Sequence, residues 1–482
     1  MFDIRPVGYV IGLLVAVLGV SMLLPMIADM VEGNEHWPVF FESALVTTLA
    51  GGLIALACAN GVGAGLTLRQ TFLLTSAVWF ALPVFGAIPF VLGATEARVV
   101  DAVFEAMSGL TTTGSTVFSG LDDMPAGLLL WRGLMQWFGG IGIVVFAMVF
   151  LPELRVGGMQ IFRSESFDTL GKILPRAAEI AAQIFWIYVA LTGAAFLGFT
   201  MVGMGAFDAL AHALTSVSTG GFSTTDASFG AFKGAPEYVC TMVMLLASLP
   251  FVRYIQLLAG TARPLWTDGQ IHAYLATIAV IVAALTLYQV IGAGRATEPA
   301  IREALFNATS IISGTGYAST DYQLWGGFAM TVIFFAGLIG GCAGSTSCSI
   351  KVFRYQLLFA SIKSQVRGIH SPRGLFPPRY EGRAVGQDVL NSVMAFFVVF
   401  IVTLGALTVL LGMTGLDFTT SVSGAAAALG NIGPGLGPEI GPSGNFGGLN
   451  DTAKWLLIVG MLLGRLELLV VYALFTARFW RG

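Results

Sequence analysis

The chain has 482 residues, of which 56% are hydrophobic and 11% are charged, and its formal net charge is −3. A soluble protein needs far more charge to cover its surface, so this composition excludes a soluble enzyme and indicates a polytopic membrane protein. The small negative net charge gives no reason to expect a nucleic-acid partner.

Ten apolar stretches are long enough to cross a membrane, because about 20 helical residues span about 30 Å of hydrocarbon. The predicted spans are 8–30, 39–59, 70–94, 127–151, 177–203, 237–260, 271–293, 324–350, 386–412 and 452–478. The first span follows Arg5 and is too long for a cleavable signal peptide, so we expect it to remain in the membrane. Four shorter apolar segments lie between long ones and cannot cross: 101–112, 207–218, 299–312 and 417–430.

The distribution of basic residues predicts the orientation. With the N-terminus in the cytoplasm, six basic residues fall on the outer side: Arg98, Arg132, Lys233, Arg295, Arg302 and Lys454. Arg465 falls within a predicted span, and the remaining 17 of the 24 basic residues fall on the cytoplasmic side. The positive-inside rule therefore places both termini in the cytoplasm, and the four short segments enter the membrane from outside.

Each short segment ends in a loop rich in glycine, threonine and serine. The loops read "LTTTGSTV" (110–117), "VSTGGFS" (217–223), "SGTGYAS" (313–319) and "GNIGPG" (430–435). Each loop has one glycine in a shared register, and we call these four the loop glycines: Gly114, Gly221, Gly316 and Gly433.

The residues that precede the loop glycines show the same spacing in all four segments. Counting back thirteen residues gives Asp101, Asp208, Glu303 and Thr420, and counting back nine gives Glu105, His212, Asn307 and Gly424. Three acids at one register position indicate a fourfold internal repeat of helix, half-helix, loop and helix. The predicted organisation is an all-α membrane protein with a two-helix preface (1–66) and four pore repeats (67–160, 161–265, 266–385 and 386–482).

Non-helical backbone at membrane depth is tolerated only inside protein or along a watery cavity. Four helix breaks that enter from one side can have their backbone polar groups satisfied together around one central pore, and glycine lets the backbone turn there. The half-helices would direct their partly negative C-terminal ends at this cavity, which favours a cation. An alternative is that the glycines serve only close helix packing.

Rings of backbone carbonyls can replace the water shell of an alkali cation. The sequence therefore predicts a cation filter from Thr111, Thr112, Thr113 and Gly114; Ser218, Thr219, Gly220 and Gly221; Ser313, Gly314, Thr315 and Gly316; and Gly430, Asn431, Ile432 and Gly433. Thirteen acidic residues map to the outer side, among them Asp101, Glu237 and Glu303. They would concentrate cations at the mouth, or they are solvated loop residues and helix starts.

These loops, the ten-helix plan and "GGCAGST" (340–346) resemble the TrkH potassium transporters of bacteria, within the Trk/Ktr/HKT superfamily. The resemblance covers essentially the whole chain. It implies potassium uptake across the inner membrane with no organic cofactor, a homodimer with a pore in each protomer, and a cytosolic ring of nucleotide-binding TrkA subunits as regulator. Relatives that admit sodium tend to replace the first filter glycine by serine, so Gly114 favours potassium.

The segment "GLIGGCAGSTSCSIK" (337–351) interrupts the eighth predicted span with small and hydroxyl residues, which favours an unwound stretch. In TrkH-like proteins the matching segment obstructs the pore below the filter. The resemblance therefore implies a gate that includes Gly340, Gly341, Gly344, Ser345 and Thr346. The family pattern continues with glycines where this chain has Ser347, Cys348 and Ser349. A helix-packing face of small residues is the alternative.

Arg465 is the only basic residue expected in the membrane interior, where a charge must face a polar cavity or a partner. The resemblance implies that it stands in the pore, opposes cation passage and bonds to the gate loop. A static ion pair is the alternative.

Other residues that can carry chemistry fit structural roles. We expect Cys58, Cys240, Cys342 and Cys348 to be packing residues rather than a disulfide or metal site. His212 is expected to be a hydrogen-bonded packing residue rather than a proton relay. The basic stretch Ser361–Arg379 is interpreted as a cytoplasmic linker that contacts anionic lipid or the regulatory ring.

Three other functions are conceivable for a membrane protein of this kind. A secondary transporter with broken helices usually has two inverted halves, whereas the repeat here is fourfold. The sequence has no paired aspartates, HExxH motif or Ser/His arrangement at membrane depth, so an enzyme is not expected. A proton- or sodium-coupled potassium symporter that uses the same pore remains open.

Overall fold

The computed structural model describes residues 3–61, 66–149, 177–466 and 468–481, which fold mainly into α-helices. The preface consists of α1 (Arg5–Ser21), α2 (Leu23–Glu32) and α3 (Trp37–Cys58). Helices α1 and α3 cross at two glycines, and a methyl group on Gly12 would lie 2.7 Å from the carbonyl oxygen of Gly51. Small residues at the crossing let two membrane helices approach this closely.

Each repeat contains a long apolar helix, a half-helix, a loop and a second helix. The first repeat has α4 (Leu68–Gly86), α5 (Ile88–Leu92), α6 (Val99–Leu110) and α7 (Ala126–Val149). The second has α8 (Ala177–Met201), α9 (Ala206–Val217), α10 (Ala235–Ala247) and α11 (Phe251–Leu258).

The short helix α12 (Arg263–Thr267) connects the second repeat to the third. The third has α13 (Gly269–Leu287), α14 (Thr297–Ser313), α15 (Gly327–Gly337), α16 (Val352–His370) and a hairpin of β1 (Arg379–Tyr380) and β2 (Arg383–Ala384). The fourth has α17 (Gln387–Met413), α18 (Phe418–Gly430), α19 (Asp451–Arg465), α20 (Leu468–Leu474) and α21 (Ala477–Arg481).

The described part of the chain contains seven helices long and apolar enough to cross a membrane, or nine if each bent pair counts as one span. In one bent pair, α10 and α11 meet at 86° across the break at 248–250. The predicted span 324–350 is not one continuous helix, as its small and hydroxyl residues indicate: α15 ends at Gly337 and the chain is not helical again until Val352. We call residues 338–351 the intramembrane loop.

The stretch Ser361–Arg379 is not wholly a linker, because α16 continues through it to His370. Some expectations lie outside the described residues. They are the last two residues of the span 127–151, the boundary between the first two repeats at 160, and the basic residues Arg155, Arg163, Lys172 and Arg176.

The four repeats form a ring. The helix after each loop packs on the half-helix of the next repeat: α7 on α9, α10 on α14, α15 on α18, and α19 on α6. The last of these contacts joins the fourth repeat to the first and closes the ring. Large apolar side chains such as Leu53, Val280 and Val402 face outward and are 64–69% exposed, which suits a surrounding of hydrocarbon.

Candidate functional site

The four half-helices end in the same backbone geometry. The residue two positions before each loop glycine has a positive φ: 52° at Thr112, 52° at Thr219, 82° at Gly314 and 49° at Asn431. In three repeats the next residue donates its amide hydrogen to the carbonyl five residues back, at 2.8–2.9 Å. This left-handed ending satisfies the last carbonyls of a helix. One turn therefore recurs four times at the spacing found in the sequence.

The loop glycines lie against one another in a closed ring. A methyl group on Gly114 would come within 2.2 Å of the carbonyl oxygen of Gly220, and one on Gly221 within 1.8 Å of that of Thr315. The third and fourth loop glycines continue the ring and return to the first, with corresponding distances of 2.5 and 3.0 Å to backbone atoms of the next loop. The structure thus brings the sixteen predicted filter residues together around one axis.

On its outer side the ring opens into a single cavity of about 100 Å³, and all four loop glycines line it. Ser115, Thr116, Arg132 and Asp226 contribute polar groups to the same wall. The four helix breaks therefore border one shared space inside the protein, which is the setting in which irregular backbone is tolerated at membrane depth.

Hydroxyl groups stiffen two opposite loops in the same way. The Oγ1 atoms of Thr111 and Thr113 lie 2.7 Å apart, and Ser313 Oγ lies 2.7 Å from Thr315 Oγ1. Asn431 donates from Nδ2 to Thr113 Oγ1 at 3.0 Å, which joins the fourth loop to the first. These side chains hold the loops rather than the cavity wall, since they are buried behind the loop glycines.

The side chain nine residues before the loop glycine holds the chain that leaves the loop. In the first repeat, Glu105 Oε2 accepts a hydrogen bond from the amide of Val117 at 2.9 Å. In the third repeat, Asn307 Oδ1 accepts one from the amide of Ser319 at 3.2 Å. Both amides belong to the residue three positions after the loop glycine, so the two clamps are equivalent.

The other two repeats use different side chains for the same purpose. His212 is buried and lies 3.0 Å through Nε2 from Ser223 Oγ, as expected of a hydrogen-bonded packing residue. In the fourth repeat the register position is a glycine, and the preceding Ser423 accepts a hydrogen bond from the amide of Leu436 at 2.8 Å. Every loop therefore has a side-chain clamp behind it.

Arg132 was expected on the outer side but is buried within α7, 1% exposed. Its Nε donates to Glu105 Oε1 at 2.8 Å, and its Nη1 donates to the carbonyl of Ser223 at 2.8 Å. Its guanidinium carbon also lies 4.2 Å from the centre of the Phe222 ring. Arg132 thereby ties the first loop to the second through a fully buried ion pair.

Polar contacts also join the remaining pairs of neighbouring repeats. Lys454 is fully buried and donates to Asp101 Oδ1 at 2.6 Å, which links the fourth repeat to the first. Arg302 forms an ion pair with Glu237 and links the third repeat to the second. Between the third and fourth repeats the link is neutral, because the Gln323 side chain accepts from a backbone amide at 2.7 Å.

These pairs correct two expectations. Arg465 is not the only basic residue buried in a helix, since Arg132 and Lys454 are buried as well. The predicted acidic mouth has less unpaired negative charge than its thirteen acidic residues suggest, because Asp101, Glu237 and Glu303 each accept a hydrogen bond from a basic side chain.

The intramembrane loop is anchored in the break between α10 and α11. The amide and the hydroxyl of Thr346 both donate to the carbonyl of Ala247, at 3.3 and 3.0 Å. In return, the amide of Phe251 donates to the carbonyl of Gly344 at 2.9 Å. The loop and the broken helix therefore satisfy each other's backbone groups at membrane depth.

The predicted gate residues lie together in this loop. The amide of Gly340 donates to the carbonyl of Ile350 at 2.9 Å, and the amide of Gly341 donates to Ser347 Oγ at 2.8 Å. Ser345 Oγ donates to a loop carbonyl at 2.6 Å. The small-residue segment is thus a folded loop, and the alternative of a helix-packing face is wrong.

Arg465 is the last residue of α19 and is 4% exposed. It donates from Nη1 to Cys348 Sγ in the intramembrane loop at 2.6 Å and from Nη2 to the carbonyl of Gly139 at 3.2 Å. Its guanidinium carbon lies 5.5 Å from the centre of a Trp79 ring. Its hydrogen-bond acceptors among the described residues are a sulfur and a carbonyl, so no carboxylate there forms a static ion pair with it.

Sequence reasoning missed the buried role of Arg132, the clamps and the contact of Cys348. The signal for Arg132 was available, because this residue falls inside the predicted span 127–151, where a charge requires a partner. All four cysteines have free thiols in the structure.

Comparison with known proteins gives consistent matches over the whole chain. The model of the TrkH family, described as a cation transport protein, matches residues 36–481. The chain is 41% identical to the Trk system potassium uptake protein TrkI of Halomonas elongata, over 99% of this chain and 97% of that protein. It is 34% identical to the Trk system potassium uptake protein TrkH of Escherichia coli, over 99% of both.

A solved structure has the same fold. The crystal structure of the potassium transporter TrkH from Vibrio parahaemolyticus matches with a TM-score of 0.91 and 32% sequence identity, and the match covers 100% of both chains. The resemblance found in the loop motifs is therefore confirmed, as are the all-helical membrane fold and the expectation of a transporter rather than an enzyme. The chain belongs to the TrkH family of cation transport proteins.

Proposed function

We propose that this protein mediates potassium uptake across the bacterial inner membrane, with the ion passing through the ring of four loops. The observation that carries the proposal is the closed ring of loop glycines around one cavity. The relatives whose names state potassium uptake support the choice of ion. Potassium is the substrate, and no organic cofactor is required.

The filter comprises residues 111–114, 218–221, 313–316 and 430–433. Backbone carbonyls of these loops replace the hydration shell of the ion. The C-terminal ends of α6, α9, α14 and α18 meet at the ring and add partial negative charge there. The clamps and buried ion pairs behind the loops support this function, because selectivity between similar cations requires carbonyls that keep their spacing.

The gate comprises the intramembrane loop and Arg465. The guanidinium is buried and bonded to the loop, and the loop lies against the inner side of the filter turns. A fixed positive charge at this point opposes the passage of a cation. Conduction therefore requires the loop and the Arg465 side chain to leave the path together.

A cytosolic ring of TrkA-type nucleotide-binding subunits controls this gate. Helix α16 follows the intramembrane loop directly and offers an exposed surface for such a partner. Its apolar residues Ile362, Val366 and Ile369 are 45%, 47% and 77% exposed, and they alternate with the exposed Lys363 and Arg367. The same basic residues suit anionic lipid headgroups, with both termini on the cytoplasmic side.

The protein acts as a homodimer with two separate pores. One chain supplies all four repeats, so each protomer encloses a complete ring of loops. The dimer interface consequently contributes no residue to the filter.

The test is ion flux in liposomes that contain the purified full-length protein, under imposed potassium and sodium gradients, with and without a pH gradient. We expect passive flux that prefers potassium. Flux that depends strictly on a proton or sodium gradient would favour the symporter alternative. Flux without preference between potassium and sodium would contradict the proposed filter.

A further inference from the structure

Cys348 is the residue of the intramembrane loop that touches the inner end of the filter. Its Sγ lies 3.5 Å from Thr112 Oγ1, and its Cβ and amide nitrogen lie 3.1 Å from where a methyl group on Gly314 would stand. Thr112 and Gly314 are the left-handed turn residues of the first and third loops. Each of these two loops adjoins the second and the fourth, so they face each other across the ring. A residue in contact with both lies across the inner end of the axis.

Cys348 also links the loop to the wall of the pathway. Its Sγ accepts the hydrogen bond from Arg465 Nη1 at 2.6 Å, and both residues are almost fully buried. Arg465 is held on its other side by the carbonyl of Gly139 in α7. The sulfur is therefore the connection between a loop that must move and a cation that is fixed to a helix.

The other polar side chains of the loop bond elsewhere. Ser345 and Ser349 donate to carbonyls at 342 and 337, Thr346 donates to Ala247, and Ser347 accepts from Gly341. Among the described residues of the loop, Cys348 alone combines a contact with a filter turn and a hydrogen bond from Arg465.

We propose that Cys348 is the positioning residue that latches the closed gate, by holding Arg465 at the inner end of the filter. The inference rests on the proposed gate and adds the residue that keeps it shut. A glycine at this position, which the family pattern favours, has no side chain to make either contact. This chain is consequently expected to have a more tightly closed resting state than a variant with glycine at 348.

The experiment compares potassium flux in liposomes without the regulatory ring for the wild type, Cys348→Gly, Arg465→Ala and the double variant. We expect Cys348→Gly to raise resting flux about fivefold, since a thiol sulfur is a weak acceptor and its hydrogen bond contributes about as much to an equilibrium as an ordinary neutral one. The double variant should match Arg465→Ala, because the latch acts through Arg465. Cys58→Gly is the matched control: it makes the same replacement in α3 of the preface, outside the gate and the filter, and should leave flux unchanged.

The outcomes separate the latch from the gate. If Arg465→Ala raises flux while Cys348→Gly and Cys348→Ala in folded protein do not, the latch is refuted and the gate stands. Independent, multiplying effects in the double variant would also refute the latch. If the wild type and Arg465→Ala both fail to conduct potassium, the proposed function itself fails.

A second measurement is the rate of thiol labelling at Cys348. Arg465→Ala would leave this rate unchanged if the role of Cys348 were merely structural. Cys58, Cys240 and Cys342 are first replaced by alanine, and a small methanethiosulfonate reagent is added on the cytosolic side. We expect slow labelling of Cys348 in this background and labelling at least about tenfold faster with Arg465→Ala, because the loop then leaves its buried position more often. Equal labelling rates would overturn the latch. Should Cys348→Gly not fold, Cys348→Ala tests the same point while it keeps the Cβ that packs on the third loop.

Discussion

The filter loops and the intramembrane loop are both glycine-containing, non-helical segments at membrane depth, but they are held in different ways. Each filter loop follows a half-helix of its own repeat and is clamped from behind by a side chain such as Glu105 or Asn307. The intramembrane loop is held mainly through backbone groups of another repeat, together with the contact to Arg465. Many short-range clamps suit the proposed filter, which has to keep its shape, and a few exchangeable bonds suit the proposed gate, which has to move.

The largest expected effect comes from adding one carbon atom to the filter ring. We expect Gly221→Ala to abolish potassium flux, because its Cβ would come within 1.8 Å of the carbonyl oxygen of Thr315. Gly33→Ala is the matched control, since Gly33 has a similar φ of 71° but open space around it. The control should cost about 1 kcal/mol of stability and leave flux intact. If Gly221→Ala conducted potassium as fast as the wild type, the assignment of a rigid filter would be wrong.

The next largest expected effect concerns the proposed gate. We expect Arg465→Ala to raise potassium flux without the regulatory ring by at least about tenfold, because a buried cation on the path is removed. Flux in liposomes measures it, and Arg98→Ala, which removes an exposed arginine of a surface ion pair, provides the control. Unchanged or lower flux in well-folded protein would count against a gate at this position.

A smaller effect tests the buried pair behind the filter. Glu105→Gln keeps the shape of the side chain but leaves Arg132 without its carboxylate in a fully buried site. We expect a loss of about 3 kcal/mol in unfolding free energy and a lower preference for potassium over sodium. Thermal unfolding and paired-ion flux measure the two.

The matched control for that pair is Asp451→Asn, which breaks an ion pair with Arg98 whose side chains are both more than half exposed. It should change stability by less than about 1 kcal/mol and leave selectivity unaltered. If the two substitutions had equal effects, burial of the Glu105–Arg132 pair would contribute nothing to stability or to ion preference.

The smallest effect concerns the substitute clamp of the fourth repeat. Ser423→Ala leaves the buried amide of Leu436 without its partner, so we expect a loss of about 1–2 kcal/mol with flux largely kept. Ser364→Ala, on helix α16 away from the ring of loops, should have no effect on ion preference. A complete loss of selectivity in Ser423→Ala would show that the clamps differ in importance among repeats.

The sequence carried enough information to predict the ring of loops, because the requirement is backbone geometry and glycine spacing records it directly. The register position nine residues before the loop glycines contains three of the four clamp residues. It could not reveal their common purpose, since Glu105, His212 and Asn307 are chemically different and the fourth repeat uses the neighbouring Ser423. The same loop conformation is therefore stabilised by four different hydrogen-bonding groups.

Long-range pairing explains the remaining errors. Arg132 looked like an outer loop residue because its partners, Glu105 and the carbonyl of Ser223, come from other segments of the fold. The small and hydroxyl residues of the span 324–350 predicted its unwound part, but they could not show that the bonds that stabilise it come from Ala247 and Phe251 in another repeat. Hydropathy records which residues avoid water but not which backbone groups have found partners.

The break between α10 and α11 has one more consequence. In an uninterrupted α-helix the carbonyl of Ala247 would receive the amide hydrogen of Phe251, four residues later. Here Thr346 donates to that carbonyl and the carbonyl of Gly344 accepts from that amide. The intramembrane loop therefore replaces one backbone hydrogen bond of another helix. Its departure would leave a donor and an acceptor that can pair with each other. If the proposed gate opens in this way, neither group has to remain unpaired during the exchange.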